Sequence, residues 1–411
     1  RIEQQSFSTL PVTARTALLS DFAARLEANQ DKLARMMCEE VGRCLRECRA
    51  ELNKSVELIR YYTRLAPELL AHKTISTQAS LSQVRFEPLG VVLAVMPWNY
   101  PVWQVLRFAV PALCAGNACL VKPAPSVARA LFELVGGDIP LMPAWLEHAD
   151  VPQAIADTDA LAFTGSADTG RILAAEAGGR LKKTVLELGG SNAFIVLPES
   201  VFADEAEKQG FIAQVNTWRN AAKRIIVTEA VAEPFIRLFL DECAKLQTGD
   251  PLDAQTTLAS LHRADLRERV HAQVLDAVGN GAQILCGGEI PAGQGWFYPA
   301  TVLDKVNPAC RAYREEVFGP VAAILRARDA EHAVGLANDN PYGLGASIYS
   351  ADEAAAWRYA EKLHTGAVYI NRHTSSDLRL PFGGVKASGY GRELSEFGLY
   401  EFVNIKTYWQ K

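Results

Sequence analysis

The stretch VLELGGSNAFIVL (residues 185–197) decides the fold. Glu-Leu-Gly-Gly-Ser follows the end of one strand-like run and precedes the apolar run 194–197, so the chain leaves one strand, turns on paired glycines and enters another. Working backward, short apolar runs at 118–121 and 161–163 alternate with helix-like segments. Such alternation predicts a parallel sheet in an open α/β fold. Working forward, a second α/β segment spans about residues 191–393, with strands expected near 225–227, 322–325 and 368–370.

Residues 11–71 carry a helical pattern, with Leu18, Phe22 and Leu26 and then Leu33, Met37 and Val41 at helical spacing. They are expected to cover a sheet. From 76 to 95 the pattern changes to strand: residues 82–86 alternate and 91–96 are continuously apolar, an exposed hairpin leading into a buried strand. The stretch from Lys122 to Leu161 is tight if a strand lies within 141–146, because each parallel crossover needs a dozen or more residues. The first crossover must then fit between Pro123 and Pro140, with Gly136 and Gly137 ending its helix early.

At 411 residues the chain is long enough for two or three domains. Its 49% hydrophobic and 22% charged residues are ordinary for a globular protein, and a net charge of -5 argues against a nucleic-acid or anionic-membrane partner. Small molecules are the expected ligands. Eight cysteines, at 38, 44, 48, 114, 119, 243, 286 and 310, form neither a CxxC metal pattern nor a secreted disulfide framework. No metal site is expected, and reduced thiols point to a cytoplasmic protein. No apolar run is long enough to span a membrane, and the first residues lack a signal-peptide pattern.

Six motifs can carry chemistry. In PWNYP (97–101), Asn99 can donate to an oxyanion and Trp98 can close a cofactor cleft; a rigid turn with a capping Asn is the ordinary reading. Lys122, ending a strand in LVKPAP (120–125), suits a ribose or phosphate, or is a solvated strand-end lysine. AFTGSADTG (162–170) places Gly165 and Ser166 before a helix, where backbone N–H groups suit a pyrophosphate, although it lacks GxGxxG spacing and an ordinary strand-to-helix turn fits equally. Glu187 in ELGGS is a candidate general base, or a capping or ion-paired carboxylate. REEVFGPV (314–321) offers Glu316 to a ribose diol and Phe318 to a nicotinamide ring, and LPFGGVKASGYGRE (380–393) offers Phe382 to a substrate tunnel; either can be a packing loop.

Taken in this order, the motifs resemble the NAD(P)-dependent aldehyde dehydrogenase superfamily over nearly the whole chain. MPWNYPVWQV, YREEVFGPV and SDLRLPFGGVKASGYGRELSEFGLYEF are most similar to bacterial succinate-semialdehyde dehydrogenases. The resemblance implies a Rossmann-type dinucleotide-binding domain (1–75 and 89–189), an α/β catalytic domain (190–395) and an oligomerisation arm (76–88 and 396–411). It implies NAD or NADP as cofactor, a small-molecule aldehyde as substrate, and a homodimer or homotetramer. Carried over, Asn99 is the oxyanion donor and Glu187 the general base. Trp98, Lys122, Gly165, Ser166, Glu316 and Phe318 hold the cofactor. Arg107, eight positions after Asn99, matches an arginine for the substrate carboxylate, or is a surface or helix-capping arginine.

The family mechanism needs a cysteine nucleophile, and QVNTWRNAAKRIIV (214–227) contains none. Ungapped alignment puts Arg219 at its position, and a guanidinium is no nucleophile. Family members that favour NAD often carry a glutamate where this chain has Pro125, so NADP is permitted. The segment from 122 to 166 reads short against the family pattern, and the chain begins inside that pattern. Two expectations follow: aldehyde oxidation by a chain whose catalytic loop is absent from, or altered in, this sequence, or a catalytically inactive homologue that keeps cofactor binding or an assembly role.

Overall fold

Each apolar run of four to seven residues becomes a strand whose alternate side chains enter different cores, which is why these runs are apolar throughout. The computed structural model describes residues 1–125, 127, 131–132, 135, 138–198 and 222–411. The chain divides into two units, Arg1–Leu188 with Ser376–Phe382 and Gly389–Lys411, and Gly189–Ser375 with Gly383–Ser388.

The first unit contains β1 (Lys73–Thr74), β2 (Leu81–Pro88), β3 (Val91–Val95), β4 (Ala118–Lys122), β5 (Leu141–Pro143), β6 (Ala160–Thr164), β7 (Lys183–Glu187), β17 (Gly389–Tyr390) and β18 (Val403–Gln410). Its main sheet runs β17-β7-β6-β3-β4-β5, parallel except for β17. Val92, Ala94, Ala160, Ala162 and Val185 face the helical cover, while Leu93, Leu161, Phe163 and Leu186 face a smaller cluster with Val151, Ile155 and Leu173. The cover consists of helices Val12–Ala28, Gln30–Val41 and Leu45–Leu69 together with the fully buried helix Trp103–Cys114, which packs against β4. Leu19, Phe22 and Leu26 form the buried stripe of the first of these, with Leu18 only partly buried at its flank.

β2 and β3 are consecutive but belong to different sheets. The long partner of β2 is β18, paired antiparallel from Val403↔Pro88 to Gln410↔Leu81. The intermediate strand β5 is three residues long and lies at the sheet edge, where Pro143 costs no ladder bond. Gly136 and Gly137, expected to end the preceding helix, lie outside the described residues.

The second unit holds β8 (Asn192–Val196), β9 (Ala222–Thr228), β10 (Gln283–Cys286), β11 (Thr301–Asp304), β12 (Val321–Ala327), β14 (Ala346–Tyr349) and β15 (Val368–Ile370) in the order β10-β11-β12-β9-β8-β14-β15, and a separate antiparallel pair, β13 (Tyr342–Gly343) with β16 (Val385–Lys386). In the larger sheet only β10, at one edge, runs antiparallel. Phe194, Val196, Ile225, Val227, Ala322 and Ile324 face one core; Ala193, Ile195, Ile226, Ala323 and Leu325 face the other. Residues 376–382 and 389–395, inside the stretch expected to be catalytic, belong to the first unit, because β17 pairs with β7 and Glu393 bridges Phe382.

Candidate active site

In the first unit the strand order reverses at β3: β4 and β5 lie on one side, β6 and β7 on the other. The carboxyl ends flanking such a reversal form the crevice in which open α/β sheets bind ligands. Trp98 and Asn99 follow β3, Lys122 ends β4, Gly165 and Ser166 follow β6, and Glu187 ends β7. Loop-to-strand bonds tie the edge together: Met96 N–H donates to Lys122 O (3.0 Å) and Gly165 N–H to Glu187 O (3.0 Å). Lys122 is 5% exposed. Ser166 caps helix Ala167–Gly178, its Oγ accepting from Thr169 N–H at 3.3 Å. A Cβ on Gly165 would lie 2.5 Å from the Phe163 ring, so the turn there is closed to larger residues.

The PWNYP loop is held from below. Glu51, buried on helix Leu45–Leu69, accepts from the N–H groups of Val102 and Trp103 (2.9 Å each) and so caps helix Trp103–Cys114. Its other oxygen pairs with Arg43 (2.5 Å), which donates to Asn99 O (3.1 Å) and stacks on Tyr100, 4.0 Å from the ring centroid. Burial pushes the Glu51 carboxyl above its ordinary range against the pull of Arg43. Asn99 Oδ1 is buried without a hydrogen-bond partner among the described residues.

Glu187 is 3% exposed, and its Oε1 likewise has no partner among the described residues. Burial first, and then the neighbouring Glu393 carboxyl, raise its pKa well above the ordinary carboxyl value; Arg107 opposes the rise. Arg107 Nε forms an ion pair with Glu393, and its guanidinium lies 4.9 Å from the centroid of Phe382. Burial raises the Glu393 carboxyl too, despite Arg107. Phe382 and Glu393 exchange backbone hydrogen bonds of 2.7 Å each. Arg107 is therefore neither a surface nor a capping arginine: it joins Glu187, Glu393 and Phe382 in one buried cluster. Lys54 extends the cluster, its Nζ 4.1 Å from the Trp103 ring centroid and bonded to Ser376 Oγ. Burial and then Arg107 lower its pKa to about 8.

Glu316 and Phe318 are in the second unit. Burial raises the Glu316 carboxyl, opposed by Lys223 and by a hydrogen bond from the Gly190 backbone. A Cβ on Gly189 would lie 2.6 Å from Glu316 Oε2. The turn after Gly190 is fixed by Arg224, which donates to Ser191 O (3.2 Å) and to Leu336 O (2.8 Å) and Ala337 O (3.0 Å), carbonyls in the last turn of helix Ala330–Asn338. Phe318 is 39% exposed.

Arg219 lies outside the described residues. Seven of the eight cysteines are buried and Cys286 is partly so. Burial pushes Cys48 and Cys114 up to about 12 and Cys119 further, as expected of structural thiols. Among the described residues no helix is long and apolar enough to cross a membrane.

Glu51, Arg43, Lys54 and Glu393 carry roles that motif reading missed. An acid at Glu51, on a helix face with Cys48, Leu52 and Ser55 buried beside it, was the available signal: a carboxylate there needs a buried partner.

Comparison with known proteins identifies the family and the fold. Residues 1–408 match the model of the aldehyde dehydrogenase family. A succinate semialdehyde dehydrogenase [NAD(P)+] of Escherichia coli K12 is 43% identical over 407 residues, covering 96% of this chain and 88% of that protein. A probable succinate-semialdehyde dehydrogenase [NADP(+)] of Synechocystis is 40% identical, covering 98% of this chain and 92% of its own. The crystal structure of Streptococcus pyogenes succinic semialdehyde dehydrogenase with NADP+ superposes with a TM-score of 0.93 at 32% identity, over 99% of this chain and 92% of that one. The protein belongs to the aldehyde dehydrogenase family, whose fold these residues build.

Proposed function

We propose that the chain oxidises an aldehyde carrying a distal carboxylate, succinic semialdehyde, to the acid with NAD or NADP. The observation that carries this reading is Glu187: a buried carboxyl at a strand's carboxyl end, one oxygen unpartnered among the described residues and the pKa raised, as a general base toward water requires. The names of the relatives supply the substrate.

The first unit's sheet edge fits a dinucleotide. The capped N-terminus of helix Ala167–Gly178, the closed Gly165 turn and Lys122 suit its phosphates and ribose, with Trp98 as a wall. In the second unit, Glu316 and Phe318 keep the cofactor roles that the family resemblance implies, a ribose ligand and a nicotinamide wall. A nicotinamide held there would supply the hydride acceptor for aldehyde oxidation. Asn99 presents its amide to the developing oxyanion. Arg107 and Lys54 supply positive charge for the carboxylate, with Phe382 packed on Arg107. Glu187 takes a proton from water when ionised. Pro125 leaves NADP acceptable. The β2–β18 ribbon, with exposed Ile405 and Trp409, suits assembly into homodimers or homotetramers, and a cytoplasmic location suits the reduced thiols.

The test is a cofactor-reduction assay with a panel of aldehydes on a chain of verified mass. Nicotinamide reduction with succinic semialdehyde, abolished by Glu187→Ala, supports the proposal. A second reading, an inactive homologue that binds cofactor, is favoured by Arg219 and by the lack of any cysteine between 119 and 243. Cofactor binding without aldehyde oxidation would establish that reading instead.

A further inference from the structure

We propose that Cys243 and Cys286 form a thiol pair that a peroxide converts to a disulfide, a modification site in the second unit outside the residues proposed for catalysis. The two are 43 positions apart in the sequence and are brought together by the fold. Cys243 occupies the last turn of helix Glu229–Ala244, and Cys286 ends β10, the antiparallel edge strand. Both pack in one apolar cluster with Phe239, Leu246 and Val302, where their side chains share a hydrogen bond.

Cys286 is the only one of the eight cysteines that is not buried, so a small oxidant reaches it. Its Sγ donates to Ala300 O at 3.7 Å, a long bond from a weak donor. The hydrogen bond to Cys243 brings its thiol down to about 7 against the effect of burial, whereas Cys48 and Cys114 stand near 12. The thiolate is the reactive form. The backbone around Cys286 is also adaptable: the ladder with β11 slips between Ile284 and Cys286, and Gly287 and Gly288 follow at φ +67° and +89°. An edge strand of this kind can shift to meet the narrow geometry of a disulfide.

The steps balance with hydrogen peroxide as oxidant. The Cys286 thiolate attacks one peroxide oxygen, the O–O bond breaks, and the departing hydroxide takes a proton to give water, leaving a sulfenic acid. Cys243 sulfur then attacks Cys286 sulfur, an S–S bond forms, and the sulfenic oxygen leaves as a second water. Two thiols lose two electrons and the peroxide gains them.

The full chain is treated with hydrogen peroxide, denatured, alkylated and mapped by mass spectrometry. Two fewer alkylated thiols than the eight of the untreated chain, with the Cys243 and Cys286 peptides joined and released by dithiothreitol, is the expected result. Cys286→Ser loses the linkage, and Cys243→Ser traps a dimedone-reactive sulfenic acid at Cys286. Eight free thiols after peroxide, or a linkage between other cysteines, overturns the proposal. The wild-type map alone decides, so the result does not depend on a variant folding.

Discussion

Arg107 and Glu393 are ion-paired inside the first unit, with side chains 6% and 5% exposed, and the Glu187 carboxyl stands within their electrostatic reach. Three ionisable groups thus share a site where burial penalises each charge. Glu393→Gln leaves Arg107 buried without its partner and is expected to cost about 3–5 kcal/mol in urea unfolding. Arg107→Met with Glu393→Gln recovers most of that loss, since the uncompensated charge is gone. A double variant no more stable than Glu393→Gln alone would contradict the pairing.

The pH dependence of stability follows from Glu187. Its folded-state pKa is raised, by burial first and Glu393 second, so the folded chain keeps a proton that the unfolded chain releases. This group therefore favours folding most below the unfolded carboxyl value of about 4.3, and the benefit is lost as pH rises through the folded value. Glu187→Gln cannot ionise. Relative to wild type, the variant is expected to gain stability as the pH rises from about 4 to about 8. Equal wild-type-to-variant differences at both pH values in urea titrations would contradict a raised Glu187.

Glu51 caps helix Trp103–Cys114 and neutralises Arg43 beneath Asn99. Glu51→Ala strands two N–H donors and a mostly buried guanidinium, and is expected to lower stability by about 2–4 kcal/mol. The measurement is chemical unfolding with proteolysis of the loop at 97–101 as a second readout. Faster cleavage there than in Arg60→Ala, which removes only the exposed pair with Glu27, is the expected pattern.

Gly189→Ala places a methyl 2.6 Å from Glu316 Oε2 and must displace that carboxylate. If Glu316 holds the nicotinamide ribose as proposed, NADP affinity falls about tenfold, roughly 1.4 kcal/mol. Fluorescence titration with the reduced cofactor checks this. Unchanged affinity would remove Glu316 from the cofactor site.

Local pattern carried much of the first unit. The apolar runs at 91–96, 118–121 and 161–163 became β3, β4 and β6, because a strand buried on both faces has no polar position to confuse its reading. The glycine-serine turn at 165–166 and the ELGGS turn fell at strand ends, where backbone geometry demands small residues. The pairing of β2 with β18 was not readable from register, since the partners are more than 300 residues apart and both are half exposed. Glu393 was quoted within a glycine-rich motif but carried no visible role. Its role comes from a bridge to Phe382 and a pair with Arg107, neither local in sequence.

The sequence by itself determined the α/β class, the succession of strand-end motifs and the lack of a cysteine near 219, because each is a property of neighbouring residues. Only the tertiary structure decided which charges are buried together. Arg107, Glu187 and Glu393 come from a helix, a strand end and a C-terminal bridge, and the raised pKa of the two carboxyls comes from their shared exclusion from water, a property of packing that no single segment contains.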